Sequence, residues 1–231
     1  IKPGNYLVFF PSHRVLEEVY KEAEELVEEN ERSGEIGAET IRMFRQMPYM
    51  TEAEREDFLE NFENFRASGN SEDSGNSGDH GTPENQNQIR LGFCVLGGIF
   101  AEGIDRPGER LIGAVVVGTG LPQVCNEREI LKQYFDEKGQ RGFDYAYLYP
   151  GMNKVLQAAG RVIRTEKDKG MILLLDERFL QRNYREIFPR EWSRFKTGKT
   201  EVLLQELDDF WKRTENEENA LKEKPQAPDQ K

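Results

Sequence analysis

A glutamine, a glycine and two arginines stand at fixed intervals in the segment Gln157-x-x-Gly160-Arg161-x-x-Arg164. Arginine donates forked hydrogen bonds to phosphate oxygens, and a glutamine amide can orient a water molecule beside them. Helical spacing over 153–163 predicts that the three polar side chains project from one side of a helix. Glycine inside a helix costs about 1 kcal/mol in stability, so its presence calls for a reason. Because Gly160 has no side chain, it would permit close approach of a neighbouring element. The segment predicts a polyphosphate site; a surface helix with ordinary salt bridges is the alternative.

A second glycine-rich segment covers 97–105 and directly follows an apolar run that ends at Leu96. Folds of the α/β class place ligands where a parallel strand ends in such a turn. The segment lacks the G-x-G-x-x-G spacing of a dinucleotide site. We expect Gly103 and Asp105 to form a tight loop that presents a carboxylate.

Two further motifs fail on their context. Gly198-Lys199-Thr200 resembles the end of a phosphate-binding loop, but Ser193 stands where such a loop requires glycine, and no apolar strand precedes it. Asp176 and Glu177 follow the apolar run 171–175, yet no phosphate loop is present for them to complete. The sequence therefore predicts that this chain does not hydrolyse a nucleoside triphosphate alone.

Apolar runs alternate with segments of helical periodicity along the chain. Continuous apolar runs are typical of strands covered on both faces, and alternation with helices is typical of a parallel sheet. The predicted fold is therefore α/β, a parallel sheet with helices on both faces. The predicted strands are 5–10, 91–96, 111–117 and 171–175, and the predicted helices include 51–66, 127–137, 153–163, 178–187 and 202–211.

The net charge of −11 is concentrated in two windows. Residues 17–35 and 51–79 each hold nine acidic and two basic side chains, so the rest of the chain is slightly basic. Residues 154–199 hold twelve basic and six acidic side chains, a surplus that suits phosphates or an ordinary solvated helix face. The composition therefore does not exclude a nucleic-acid partner.

Composition also limits the compartment and the kind of site. No apolar run is long enough to cross a bilayer, so we expect no membrane partner and a cytoplasmic location. Two cysteines cannot form a disulfide framework, a four-thiolate zinc site or an iron–sulfur cluster, and we predict no metal site. The chain starts at Ile1, which we interpret as a piece excised from a longer protein. We predict one domain over 1–213, with a flexible acidic insertion at 68–90 and a flexible tail at 214–231.

Three stretches together resemble the second motor half of superfamily 2 helicases, and more narrowly the DinG and XPD DNA helicases. They are FFPS at 9–12, EGIDRPGERLIGAVVVGTGLP at 102–122, and QAAGRVIR at 157–164 followed by GMILLLDERF. In order they correspond to motifs IV, V and VI of that family, and the resemblance covers about residues 4–190. It implies a RecA-like domain that packs against a first RecA-like domain, with ATP and Mg²⁺ in the cleft between them.

The resemblance also implies roles for single residues. Arg161 and Arg164 would reach the ATP phosphates, with Arg164 as the arginine finger and Gln157 near the γ-phosphate. Gly103 and Asp105 would line the nucleotide.

Glu102 and Ser12 would lie nearer the groove for single-stranded DNA. Gly97 departs from the family, which often has threonine there, and the family's iron–sulfur cluster belongs to the first half. The alternative is a helicase-derived module that binds nucleic acid or protein without ATPase activity; a kinase-like site at Gly198-Lys199-Thr200 is a third, weaker hypothesis.

Overall fold

A computed structural model describes residues 2–34, 41–63, 88–102, 111–165 and 168–222. The chain divides into two compact units. One runs from Pro3 to Phe188, and the other comprises the first two residues together with Pro189–Lys231. In the described part of the chain, no helix is long and apolar enough to span a bilayer.

The larger unit is built on five parallel strands, which confirms the predicted fold class. Their order in the sheet is β2-β3-β1-β4-β5. The sequence did not predict β2, because Arg42 and Arg45 interrupt its apolar pattern. The strands are β1 (Gly4–Phe10), β2 (Ile41–Arg45), β3 (Ile89–Val95), β4 (Leu111–Val117) and β5 (Met171–Leu175).

The central strand β1 pairs with both β3 and β4, so Leu7 is aligned with Gly92 on one side and Ala114 on the other. Leu7 and Phe9 are completely buried. Burial of both faces explains why this strand is apolar at nearly every position.

Helix α1 (His13–Ser33) covers one face of the sheet. Leu16 and Tyr20 pack in a buried cluster with Phe10 and Phe93. The helix ends at Gly34, whose φ of 75° is the left-handed conformation that favours glycine.

Helix α2 (Glu52–Glu63) covers the opposite face. Its capping box is formed, since the Thr51 N–H donates to Glu54 Oε2 (2.6 Å) and the Glu54 N–H donates to Thr51 Oγ1 (3.3 Å). Phe58 and Phe62 lie over Gly92, where a Cβ would collide with the Phe62 ring and make a tight contact of 3.2 Å with the Phe58 ring. Helices therefore lie on both faces, as predicted.

The remaining helices of this unit differ from prediction mainly at their ends. Helix α4 (Asn126–Glu137) matches the predicted 127–137. The predicted helix 178–187 is a 3₁₀ turn, Glu177–Leu180, followed by the short α6 (Arg182–Arg185), because Gln181 is extended (ψ 147°) and interrupts it. The others are α3 (Ile99–Glu102), a π-helix at Asp144–Leu148 and α5 (Tyr149–Ala159).

The smaller unit contains a 3₁₀ helix, Arg190–Arg194, and α7 (Thr200–Lys222). Helix α7 is longer than the predicted 202–211, so residues 214–222 are helical where we expected a flexible tail. The Lys2 ammonium lies 3.0 Å from Glu215 Oε1 and over the Trp211 ring. An ion pair and a cation–π contact therefore add to the apolar contacts of α7.

Most of the predicted insertion at 68–90 lies outside the described residues, as do residues 223–231 of the predicted tail. The last three residues of that insertion, 88–90, belong to the sheet instead. The Gln88 carbonyl accepts a hydrogen bond from the Gly4 N–H (3.0 Å), and β3 begins at Ile89.

Candidate functional site

Helix α5 begins in close contact with the loop that follows β4. Gly120 has a φ of 66°, and a Cβ there would lie 2.8 Å from the Gly151 carbonyl oxygen. A Cβ on Gly151 would in turn lie 2.8 Å from the Thr119 carbonyl oxygen. Two glycines therefore allow the backbone of α5 to touch the backbone of this loop.

The same helix also covers the turn after β3. Gly97 has a φ of 73°, and a Cβ on it would lie 2.8 Å from Cδ of Lys154, so the aliphatic stem of that lysine lies over the turn. Beneath the turn, buried Gln46 accepts a hydrogen bond from the Val95 N–H (2.9 Å). This left-handed backbone favours glycine, which explains why Gly97 stands where the helicase family that the sequence resembles often has threonine.

Ser12 lies at the same edge of the sheet, directly after β1 and Pro11. Its Oγ accepts a long hydrogen bond from the Val15 N–H (3.4 Å) and thereby caps α1. The hydroxyl hydrogen is not used in that bond, so Ser12 can still donate to a ligand. Because β1 pairs with β4, Ser12 is a neighbour of the loop at 118–120.

Three of the predicted site residues stand at the end of α3 and in the segment that joins it to β4. Glu102 is the last residue of α3. Gly103 and Asp105 lie outside the described residues. Their predicted roles remain predictions.

The arginine-containing segment is not one continuous helix, and this part of the prediction is wrong. Gln157 lies exposed on α5, but the helix ends at Ala159, with Gly160 as its cap. Arg161 follows in a turn closed by its N–H, which donates to the Ala158 carbonyl (3.2 Å). Gly160 therefore ends the helix and does not serve as an interior contact point.

Arg164 stands in a loop that an acidic side chain organises. Asp168 Oδ2 accepts hydrogen bonds from the backbone N–H groups of Arg164 (2.9 Å) and Thr165 (2.7 Å). The Asp168 N–H donates back to the Thr165 carbonyl (3.1 Å). The Arg164 side chain is exposed and Arg161 is half-buried, so a ligand can reach both residues from outside the core.

The segment is anchored at the amino-terminal edge of the sheet. Val162 is buried and packs against Gly170, which also approaches the backbone of Ile112 near the start of β4. The first turn of α5 contacts the loop after β4, and its end leads to the start of β4. The helix therefore runs antiparallel to β4. The structure therefore places Arg161 and Arg164 at one edge, and Ser12 at the other.

The two motifs that failed on context have structural roles. Asp176 accepts from the Arg178 guanidinium (2.6 and 2.9 Å) and caps the 3₁₀ turn, and these bonds lower the pKa of its carboxyl group. Gly198 and Lys199 lead into α7 from a 3₁₀ helix and not from a strand. Among the described residues, no three His, Cys, Asp or Glu side chains are grouped to hold a metal ion.

Sequence reasoning missed several residues that position the candidate site. Lys154 and Gly151 lie within or beside the predicted helix, but their contacts are with loops distant in sequence. Asp168 follows Arg164 by four residues. Its carboxylate could have been recognised as an acceptor for the backbone N–H groups of a turn. Gln46 carries no local signal, because it follows a strand that was not predicted.

Comparison with known proteins adds independent information. The profile of the helicase C-terminal domain matches residues 1–195. The probable ATP-dependent helicase of Methanocaldococcus jannaschii is 35% identical over 97 residues, 38% of this chain. The ATP-dependent DNA helicase DinG of Photobacterium profundum is 34% identical over 89 residues, also 38% of this chain. A regulator of telomere elongation helicase 1 homolog from Culex quinquefasciatus is 29% identical over 186 residues, 78% of this chain.

These relatives are much longer than the chain, which spans 15%, 13% and 17% of their respective lengths. Among solved structures, apo XPD superposes with a TM-score of 0.50 over 79% of this chain and 30% of that chain, at 22% identity. That likeness concerns the fold alone. Since the profile covers residues 1–195, the chain belongs to the helicase C-terminal domain family, which confirms the resemblance to DinG-like helicases stated from the sequence.

Proposed function

We propose that the chain is the second motor domain of an ATP-dependent DNA helicase. In this proposal Arg161 and Arg164 donate to an ATP molecule bound mainly by a first RecA-like domain of the same protein. The observation that carries the proposal is that Asp168 organises the backbone of Arg164, and that the Arg164 side chain is exposed. Gln157 precedes these residues on the exposed side of α5.

The described residues suit part of an ATP site but not a whole one. Guanidinium groups and an amide are donors for phosphate oxygens. Within the described ranges of the chain, no three His, Cys, Asp or Glu side chains are grouped to hold a metal ion, and Gly198-Lys199-Thr200 does not follow a strand. ATP with Mg²⁺ would therefore bind chiefly to the first domain, and this domain would supply positive charge to the phosphates during hydrolysis.

Single-stranded DNA is the proposed second ligand. Ser12 offers a hydroxyl donor at the carboxyl-terminal edge of the sheet, and Glu102 ends α3 just beyond the turn at Gly97. Helix α5 touches the loops at this edge and leads into the arginine loop at the other. We propose that this helix couples the state of the nucleotide to contacts with DNA, and that Gly103 and Asp105 line the nucleotide.

The test is DNA-stimulated ATP hydrolysis by the full-length protein carrying both Arg161→Ala and Arg164→Ala. Removing an arginine finger lowers turnover by about a thousandfold. Arg182→Ala is the matched control, since Arg182 is 91% exposed and pairs only locally with Glu186 (2.7 Å). If the double variant hydrolyses ATP at the control rate, the proposal is wrong and the binding module without ATPase activity becomes the better hypothesis.

A further inference from the structure

Helix α4 turns its polar side towards the rest of its unit. Its least exposed residues include Arg128 and Lys132, and none of its twelve residues is buried. Arg128 donates to the Ala146 carbonyl (2.7 Å), and Asp136 Oδ1 accepts from the Gly142 N–H (2.9 Å). Phe135, stacked on Tyr145, is the one large apolar residue on that side.

Its apolar side points outward. Ile130 is 68% exposed and Tyr134 is 53% exposed, four residues apart on one face, and Leu131 on the flank is 38% exposed. We name these three residues the α4 stripe. A surface helix normally buries such a stripe against its own domain. The reversed orientation of α4 indicates that something else covers it.

The chain itself offers little to cover the stripe. Within the larger unit, the exposed fractions already include contacts with every described residue. The segments outside the described ranges are polar, and their large apolar residues are the scattered Ile1, Ile36, Phe65 and Ile104. A continuous apolar face cannot be assembled from them.

Nucleic acid fits the stripe poorly. Helix α4 carries four acidic and two basic side chains, a balance that repels phosphates. Both bases are engaged, Arg128 with the Ala146 carbonyl and Lys132 with Asp136 (3.0 Å). Aliphatic and aromatic side chains with little net positive charge are typical of the centre of a protein–protein interface.

We propose that the α4 stripe docks an apolar, weakly charged face of another part of the full-length polypeptide, outside these 231 residues. The segment shared with this chain makes up 15%, 13% and 17% of the three relatives' lengths, so most of such a molecule lies outside it. A partner on the same polypeptide is present at high effective concentration, and a small apolar stripe then suffices. This contact is distinct from the ATP-dependent one, because α4 contributes no residue to the arginine loop.

The test is amide hydrogen exchange of α4 in the full-length protein and in the 231-residue chain. Exchange in α4 should be at least about tenfold slower in the full-length protein. Ile130→Glu with Tyr134→Glu should abolish that difference, while circular dichroism of the chain stays unchanged because both side chains are exposed. Leu26→Glu on α1 is the control, since Leu26 is 59% exposed, and it should leave α4 protected.

Three results would overturn the proposal. Equal exchange in the two proteins would mean that nothing in the full-length molecule covers the stripe. Protection of the isolated chain that rises with its concentration would assign the stripe to a second copy. Protection that requires added single-stranded oligonucleotide would assign it to nucleic acid. None of these readouts involves ATP hydrolysis, so they stand apart from the test of the proposed function.

Discussion

Replacing Gly120 by alanine tests the contact that seats α5 against the sheet. At its φ of 66° an alanine costs about 1–2 kcal/mol. The added Cβ would also lie 2.8 Å from the Gly151 carbonyl oxygen and 2.8 Å from Cδ2 of Leu96. Overpacking against a backbone atom adds about 1–3 kcal/mol. We therefore expect Gly120→Ala to lower the free energy of unfolding by about 2–5 kcal/mol.

Gly139→Ala is the matched control, because Gly139 has a similar φ of 71° but no atom lies within 4 Å of a Cβ placed on it. It should cost only the backbone contribution, about 1–2 kcal/mol. In urea unfolding of the chain, a difference of about 1–3 kcal/mol separates the two midpoints by roughly 0.5–1.5 M when the slope is about 2 kcal/mol/M. Coincident midpoints would mean that α5 does not touch the loop after β4.

Three further predictions concern single groups. A thiol reagent should modify Cys125 but not Cys94 in the native chain, because Cys94 is buried and burial raises the pKa of its thiol. Mass spectrometry after labelling at mildly alkaline pH measures the modified sites. A native chain labelled at both cysteines would contradict the prediction. The hydrogen bond from the Tyr147 hydroxyl to Glu129 (2.6 Å) raises the pKa of Tyr147 to about 12. This bond therefore stabilises the folded chain below about pH 10, and the stabilisation is lost as the pH rises through about 12. Glu129→Gln should move that titration towards 10 in ultraviolet absorbance, and an unchanged curve would count against the bond. Thr51→Ala removes the capping box and should lower the free energy of unfolding by about 1 kcal/mol in urea, whereas Thr51→Ser should retain most of it.

Much of the sheet could be predicted from the sequence, because burial on both faces produces continuous apolar runs. The run at 111–117 predicted β4 with its observed bounds. The short β2 could not be found in this way, because none of its residues is fully buried and Arg42 and Arg45 interrupt its apolar residues. Its position is set by pairing with β3, which is a long-range contact.

The candidate site shows why the rest could not be predicted. The helical spacing of apolar residues continues through Val162, although the helix has already ended. Val162 is buried because it packs against Gly170. The loop conformation at Arg164 depends on the hydrogen bond that its backbone N–H donates to the Asp168 carboxylate, which residue spacing alone does not encode. Motif spacing thus predicts which residues bind phosphate, whereas tertiary contacts decide their conformation.

The central claim is that Arg161 and Arg164 donate to ATP held by a first motor domain. A structure of the full-length protein with a non-hydrolysable ATP analogue and single-stranded DNA tests it most directly. We predict that the Arg164 guanidinium lies about 3 Å from an oxygen of the terminal phosphate, within hydrogen-bonding distance. An analogue bound with the loop at 160–168 facing away from its phosphates would contradict the claim.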